Sequence, residues 1–89
     1  MSAVDHDRAE RLHALLVAAA IETIPVDARV TDHREGGLWV VRVISHDVLV
    51  CGASHYDLAT AITRCARALL TREGATGPAC NELRREVQS

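Results

Sequence analysis

Ser45-His46-Asp47 contains the three residue types of a hydrolase triad. A working triad is assembled from separate segments whose side chains converge in space. Three successive residues point in different directions, and Ser and Asp are turn formers, so a turn is expected here. His33, His46, His55 and Cys51 are of the types that hold zinc. Zinc sites favour ligand pairs at short fixed spacing, and these four are scattered, so no metal is expected. The three cysteines, Cys51, Cys65 and Cys80, are odd in number and widely spaced. They imply neither a disulfide framework nor a zinc ribbon and read as reduced thiols. Cys65 falls on an apolar helical stripe, where cysteine acts as a small hydrophobe. Cys51, at a strand end near a helix start, is the more reactive of the two, yet no base adjoins it in sequence. Gly36-Gly37 lacks the further glycines and the following helix of a phosphate loop. The expectation is a protein that is not an enzyme, with no cofactor, no metal and no small-molecule substrate.

The elements that carry these residues are short. The chain has 89 residues, which points to one domain with a thin stability margin. One Trp, one Tyr and no Phe leave an aliphatic core. All ten basic residues are Arg, and the formal net charge is −2. That acidic balance argues against a dedicated nucleic-acid binder, which carries a basic surplus. No basic start precedes an apolar run, so no signal peptide is expected. The longest apolar run, Ala14 to Ile21, is far short of the roughly 20 residues of a membrane span. A cytoplasmic protein is expected.

Residues 1–6 are expected to fray. Asp7 and Glu10 form an Asp version of a capping box, and the spacing predicts a helix from about Arg8 to Ile21 with Leu12, Leu15, Leu16 and Ala19 buried. Pro25 ends it and favours an extended Ile24. Val26 to His33 alternates apolar and polar, the pattern of a half-buried strand. Arg34-Glu35-Gly36-Gly37 reads as a hairpin loop. Leu38 to Ile44 is a second strand. Its Trp39, Val41 and Val43 form a fully apolar face for the helices; Leu38, Val40, Arg42 and Ile44 form the other. Val48 to Cys51 is a third strand, ended by Gly52. Ser54 and Asp57 form a second capping box before a helix with Leu58, Ile62, Cys65 and Leu69 buried, stopped near Gly74. The result is a 1–74 α+β domain. It is a two-layer α-β-β-β-α sandwich, a three-stranded antiparallel sheet with two helices on one face. Residues 75–89 are a linker, and composition leaves open whether a short helix forms there with Cys80, Leu83 and Val87 on one side.

From Arg8 to Glu73 the order of elements and the helix entry resemble the double-stranded-RNA-binding-domain fold. That family opens its second helix with Ser-Lys-Lys-x-Ala-Lys. Here the span is Ser54-His55-Tyr56-Asp57-Leu58-Ala59, with the Ser kept and His, Tyr and Ala at the lysine positions. The family's Gly-Pro-x-His loop is replaced by Arg34-Glu35-Gly36-Gly37. The resemblance implies the fold, while the missing phosphate donors imply that the RNA activity is absent. From Val26 to Leu70 the chain is also similar to HicB-like antitoxins. Gly36-Gly37-Leu38-Trp39-Val40-Val41 stands where they carry a Gly-Gly-aromatic-x-Val strand, and Gly52-Ala53-Ser54 where they carry a Gly-x-Thr helix entry. The Pro-bearing loop usual before their third strand is missing, and the N-terminal helix is an addition.

If both helices lie on one side, Leu38, Val40, Arg42 and Ile44, with Val48 and Val50, lie on the other. An open apolar face on a small domain calls for a partner, either another protein or a second copy in a homodimer. The opposing expectation is that Cys80, Leu83 and Val87 fold back to cover it. The function expected is a small interaction or regulatory protein of bacterial or phage type. The alternative is a nucleic-acid-binding or HicB-like antitoxin regulator.

Overall fold

The computed structural model describes residues 3–24 and 26–88. Its elements are α1 (Ala3–Thr23), β1 (Ala28–Glu35), β2 (Leu38–Ser45), β3 (Val48–His55), α2 (Leu58–Leu70) and α3 (Pro78–Gln88). The strands form one antiparallel sheet in the order β1-β2-β3. This is the expected α+β sandwich with helices packed on the sheet, extended by α3. The helix break expected at Pro25 and the fraying of Met1 and Ser2 lie outside the described residues.

Two-residue turns set the strand register. Gly36 and Gly37 connect Glu35 to Leu38 with φ of 59° and 87°. Both central residues of this tight hairpin need positive φ, which glycine adopts without steric penalty. His46 and Asp47 repeat the geometry between Ser45 and Val48 with φ of 52° and 61°. Histidine and aspartate are among the non-glycine residues that enter this region most readily. The first turn is therefore shorter than the four-residue loop expected, because Arg34 and Glu35 still pair, opposite Trp39 and Leu38.

Period two then decides which side chains meet the helices. Val41 and Val43 are fully buried, with Trp39, Ala28, Val30, Cys51 and Ala53 packed around them. From the helices, Leu12, Leu16, Ala19, Ile62, Cys65 and Leu69 close the same core. The stripe expected on α2 is thus the buried one, apart from half-buried Leu58. Its alanines 61 and 66 allow close approach.

Several boundaries differ from the sequence reading, and β1 spans Ala28–Glu35 instead of Val26 to His33, leaving Val26 outside the strand and 53% exposed. α1 starts at Ala3, so Asp7 lies inside it and caps nothing. β3 does not stop at Gly52 but continues to His55, because Gly52, Ala53 and Ser54 pair with Arg42, Val41 and Val40. Ser54 is therefore a strand residue, and Asp57 is the N-cap of α2. Its carboxylate accepts the Thr60 N–H at 3.0 Å and the Thr60 hydroxyl at 2.7 Å. Those two bonds, the hydroxyl's first, hold the Asp57 carboxyl below its usual pKa.

The segment after Gly74 is part of the core. Cys80, Leu83 and Val87 of α3 are buried against α1 and α2. Glu22, near the end of α1, holds the start of α3. Its carboxylate accepts the N–H groups of Ala79 and Cys80 at 2.9 and 2.8 Å. A helix N-terminus has unpaired donors and a positive dipole end, and Glu22 supplies both an acceptor and a negative charge. A Cβ at Gly77 would fall 2.8 Å from this carboxylate, on a backbone with φ of 130°. At the other end of α3, the Arg67 guanidinium donates to the Val87 carbonyl at 2.8 Å.

The Ala79 and Cys80 N–H bonds, Ala79's first, hold the Glu22 carboxyl below its ordinary pKa. A depressed folded-state value means the stabilisation is complete above the unfolded pKa and lost as pH falls through the folded one. Glu22→Gln is expected to lower the urea midpoint at neutral pH, with the difference from wild type shrinking on acidification through that window. A difference that does not change with pH would show that the Glu22 charge does not hold α3.

Candidate functional site

The side of the sheet turned away from the helices is built from β2, flanked by the outward residues of β1 and β3. Leu38, Val40 and Ile44 lie on it, each partly exposed. Arg42 stands in their middle. Opposite Arg42 on β3 is Gly52, and the arginine stem lies across it: a Cβ there would come 3.3 Å from Arg42 Cγ and 3.2 Å from the Val41 carbonyl oxygen. Gly52 thus leaves room for the arginine to lie along the face. A shallow depression of about 340 Å³ is bordered by Val40, Arg42, Leu49, Gly52 and Ser54.

Two members of the expected patch are placed differently. Val48 is at the edge, next to the turn, and is 65% exposed. Val50 packs against the core instead of the outer face. The reason is a β-bulge. Val43 pairs with Cys51 but Ile44 pairs with Leu49, so Val50 is an extra residue on β3. A bulge turns two successive side chains to one side, here Val50 and Cys51 toward the helices. Leu49, absent from the expected patch, takes the outer position instead and is 58% exposed. The run Val48-Leu49-Val50-Cys51 is apolar throughout, so alternation could not fix its phase. The isolated glycine at 52 was the available signal, since a glycine inside a strand often marks a bulge.

Arg42 is distinguished by its charge. Arg29 pairs with Asp47 at 3.4 Å and with Asp27 at 3.9 Å, and His33 pairs with Glu35 at 3.1 Å. Among the described residues no carboxylate lies within ion-pair distance of Arg42. α3 does not cover this face, since its apolar residues are buried against α1 and α2.

The other sequence candidates have plain roles. Ser45 donates to the Val26 carbonyl at 2.8 Å, while His46 and Asp47 form the β2–β3 turn. His55 Nδ1 accepts the Asp57 N–H at 3.0 Å. Trp39 packs against the core with the Arg34 guanidinium 5.2 Å from its ring centre, a cation–π contact. Among the described residues, no three His, Cys, Asp or Glu side chains are grouped to hold a metal ion. No described helix is long and apolar enough to cross a membrane. A second concavity of about 450 Å³ lies beside α1 and α2, bordered by Arg8, Arg64, Arg67, Asp57, Thr60 and Thr63.

No family model matches the chain, and no match is found among curated proteins or solved structures.

The two faces of β2 make opposite predictions for the same chemical change. Val41→Glu places a carboxylate in a fully buried site and is expected to abolish cooperative unfolding, since a buried unpaired charge costs several kcal/mol, of the order of ~5. Val40→Glu, one residue away, is expected to shift stability by no more than about 1 kcal/mol. Circular dichroism with urea titration reads both, and equal damage would contradict the face assignment.

Proposed function

We propose that the protein is a non-enzymatic interaction module whose outer sheet face receives an aliphatic segment of another protein that carries a carboxylate. The observation that supports this most is Arg42, which among the described residues has no carboxylate within ion-pair distance and stands in the aliphatic strip of β2 and β3, between Val40, Ile44 and Leu49, with Thr31 opposite it on β1. Burying Leu38, Val40, Ile44 and Leu49 under a partner is favourable at about 25 cal/mol per Å² of apolar area. Burying Arg42 with them is favourable only if an acceptor group comes too.

Charge favours a segment of a different protein over a second copy, and the outline of the face suits a segment. A two-fold pairing centred on this face would bring two Arg42 guanidinium groups together. At about 4 Å and an effective dielectric near 20, that repulsion is about 4 kcal/mol, comparable to the gain from burying two aliphatic side chains. Eight-residue strands rise about 3.3 Å per residue, so the face is about 26 Å long and, with three strands, about 14 Å wide. That outline is the width of one extended or helical segment.

A second reading, nucleic-acid binding, is favoured by one observation. Arg8, Arg64 and Arg67 border a groove with the Thr60 and Thr63 hydroxyls, a set that suits phosphate. Asp57 in the same groove and the net charge of −2 weigh against it.

Selection of a random-peptide phage library on the immobilised full chain tests the reading. Enriched peptides are expected to combine aliphatic residues with Asp or Glu and to shift the amide signals of Val40, Arg42 and Gly52. Their affinity should fall at least tenfold for Arg42→Glu and for Ile44→Glu. Peptides that ignore both substitutions would overturn it. So would a dimer in light scattering that Ile44→Glu dissolves, which makes a second copy the occupant. Duplex binding that weakens steeply with salt and is lost in Arg64→Glu would establish the second reading instead.

A further inference from the structure

Cys51 and Cys65 belong to different elements, yet their Sγ atoms are 3.9 Å apart. Pairing with Val43 on the inner face of β2 turns Cys51 inward, and the buried stripe of α2 presents Cys65 to it. The two residues differ in burial: Cys65 is fully buried, while Cys51 is only partly so. From the geometry we infer that Cys51 and Cys65 form a peroxide-sensitive dithiol, in which Cys51 is oxidised first and Cys65 closes a disulfide between β3 and α2.

The chemistry follows from the placement. A thiolate is the nucleophile toward peroxide, and susceptibility tracks thiolate character and exposure. Cys51 is favoured on both counts. The contact with the Cys65 sulfur holds the Cys51 thiol below its ordinary pKa against the opposing effect of burial, helped by the Arg72 charge, and the Cys51 thiol also donates to the Cys65 carbonyl at 3.8 Å. The same sulfur contact, with burial, pushes the Cys65 thiol up, so it keeps its proton. Sulfur of Cys51 attacks one oxygen of hydrogen peroxide, the O–O bond breaks, and the hydroxide leaving takes up a proton as water. Cys51 is then a sulfenic acid. Cys65 sulfur attacks Cys51 sulfur, the S–O bond breaks, and the Cys65 proton leaves with that oxygen as a second water. Two thiols have lost two hydrogens, and one peroxide has become two waters. From the contact distance, the sulfurs need to move about 2 Å to reach bonding length, within the range of a side-chain rotation.

Cys80 provides the internal control. It is buried on α3, where its Sγ lies 3.4 Å from the Thr23 hydroxyl and donates to the Ala19 carbonyl at 3.6 Å. Burial pushes its pKa up, so it is expected to stay a thiol while the pair reacts.

The test uses the native full chain, treated with a small excess of hydrogen peroxide and then alkylated in denaturant. Intact mass is expected to show loss of two hydrogens, one remaining alkylatable thiol at Cys80, and full reversal by dithiothreitol. With a 14-residue separation closed, the melting temperature should rise by roughly 15 °C. In Cys65→Ser, dimedone should trap one sulfenic acid at Cys51; in Cys51→Ser, none should form. Three thiols left after peroxide treatment, disulfide-linked dimers, or a bridge to Cys80 would each overturn the inference. The wild-type measurement stands alone should either variant fold poorly.

Discussion

The carboxylate of Glu22 ties the C-terminal helix to the helical layer. It takes the first N–H groups of α3 at the end of α1. With that anchor, Cys80, Leu83 and Val87 are buried against α1 and α2 and thicken the layer that already covers Val41 and Val43. No apolar side chain of α3 is left to shield the far side of β2.

The outer face is not simply apolar. Gly52 removes a side chain opposite Arg42 and lets that arginine lie along the sheet, where long basic side chains cover apolar surface with their stems. The bulge beside it places Leu49 outward and sends Val50 inward. It completes the aliphatic strip in which Arg42 stands, while the pairing of Cys51 with Val43 brings a thiol within contact distance of Cys65.

Much of this was legible in the chain because alternation and helical spacing are local. Trp39, Val41 and Val43 share one face in any strand through Leu38 to Ile44, and Ile62, Cys65 and Leu69 share one face in any helix through them. The parts that were not legible depend on distant partners or on phase. Ala3 to His6 carry no strong apolar period, so the first turns of α1 were invisible. Ser54 reads as a cap by its residue type, yet pairing with Val40 keeps it in β3 and passes the cap to Asp57. Val48 to Cys51 is apolar at every position, so alternation alone does not say that Leu49 faces out and Val50 in. The placement of α3 rests on Glu22, whose side chain looks like any exposed helical acid in the sequence.

The central claim is that one side of the sheet is uncovered by the chain itself. Methyl-resolved NMR of the isolated full chain with a soluble gadolinium chelate measures this directly. The methyl signals of Val40, Ile44 and Leu49 are expected to broaden like surface groups, while those of Val41, Val43 and Leu83 stay sharp. Sharp Val40 and Ile44 signals together with a broadened Leu83 would mean that α3 lies across the sheet, and the account would fail.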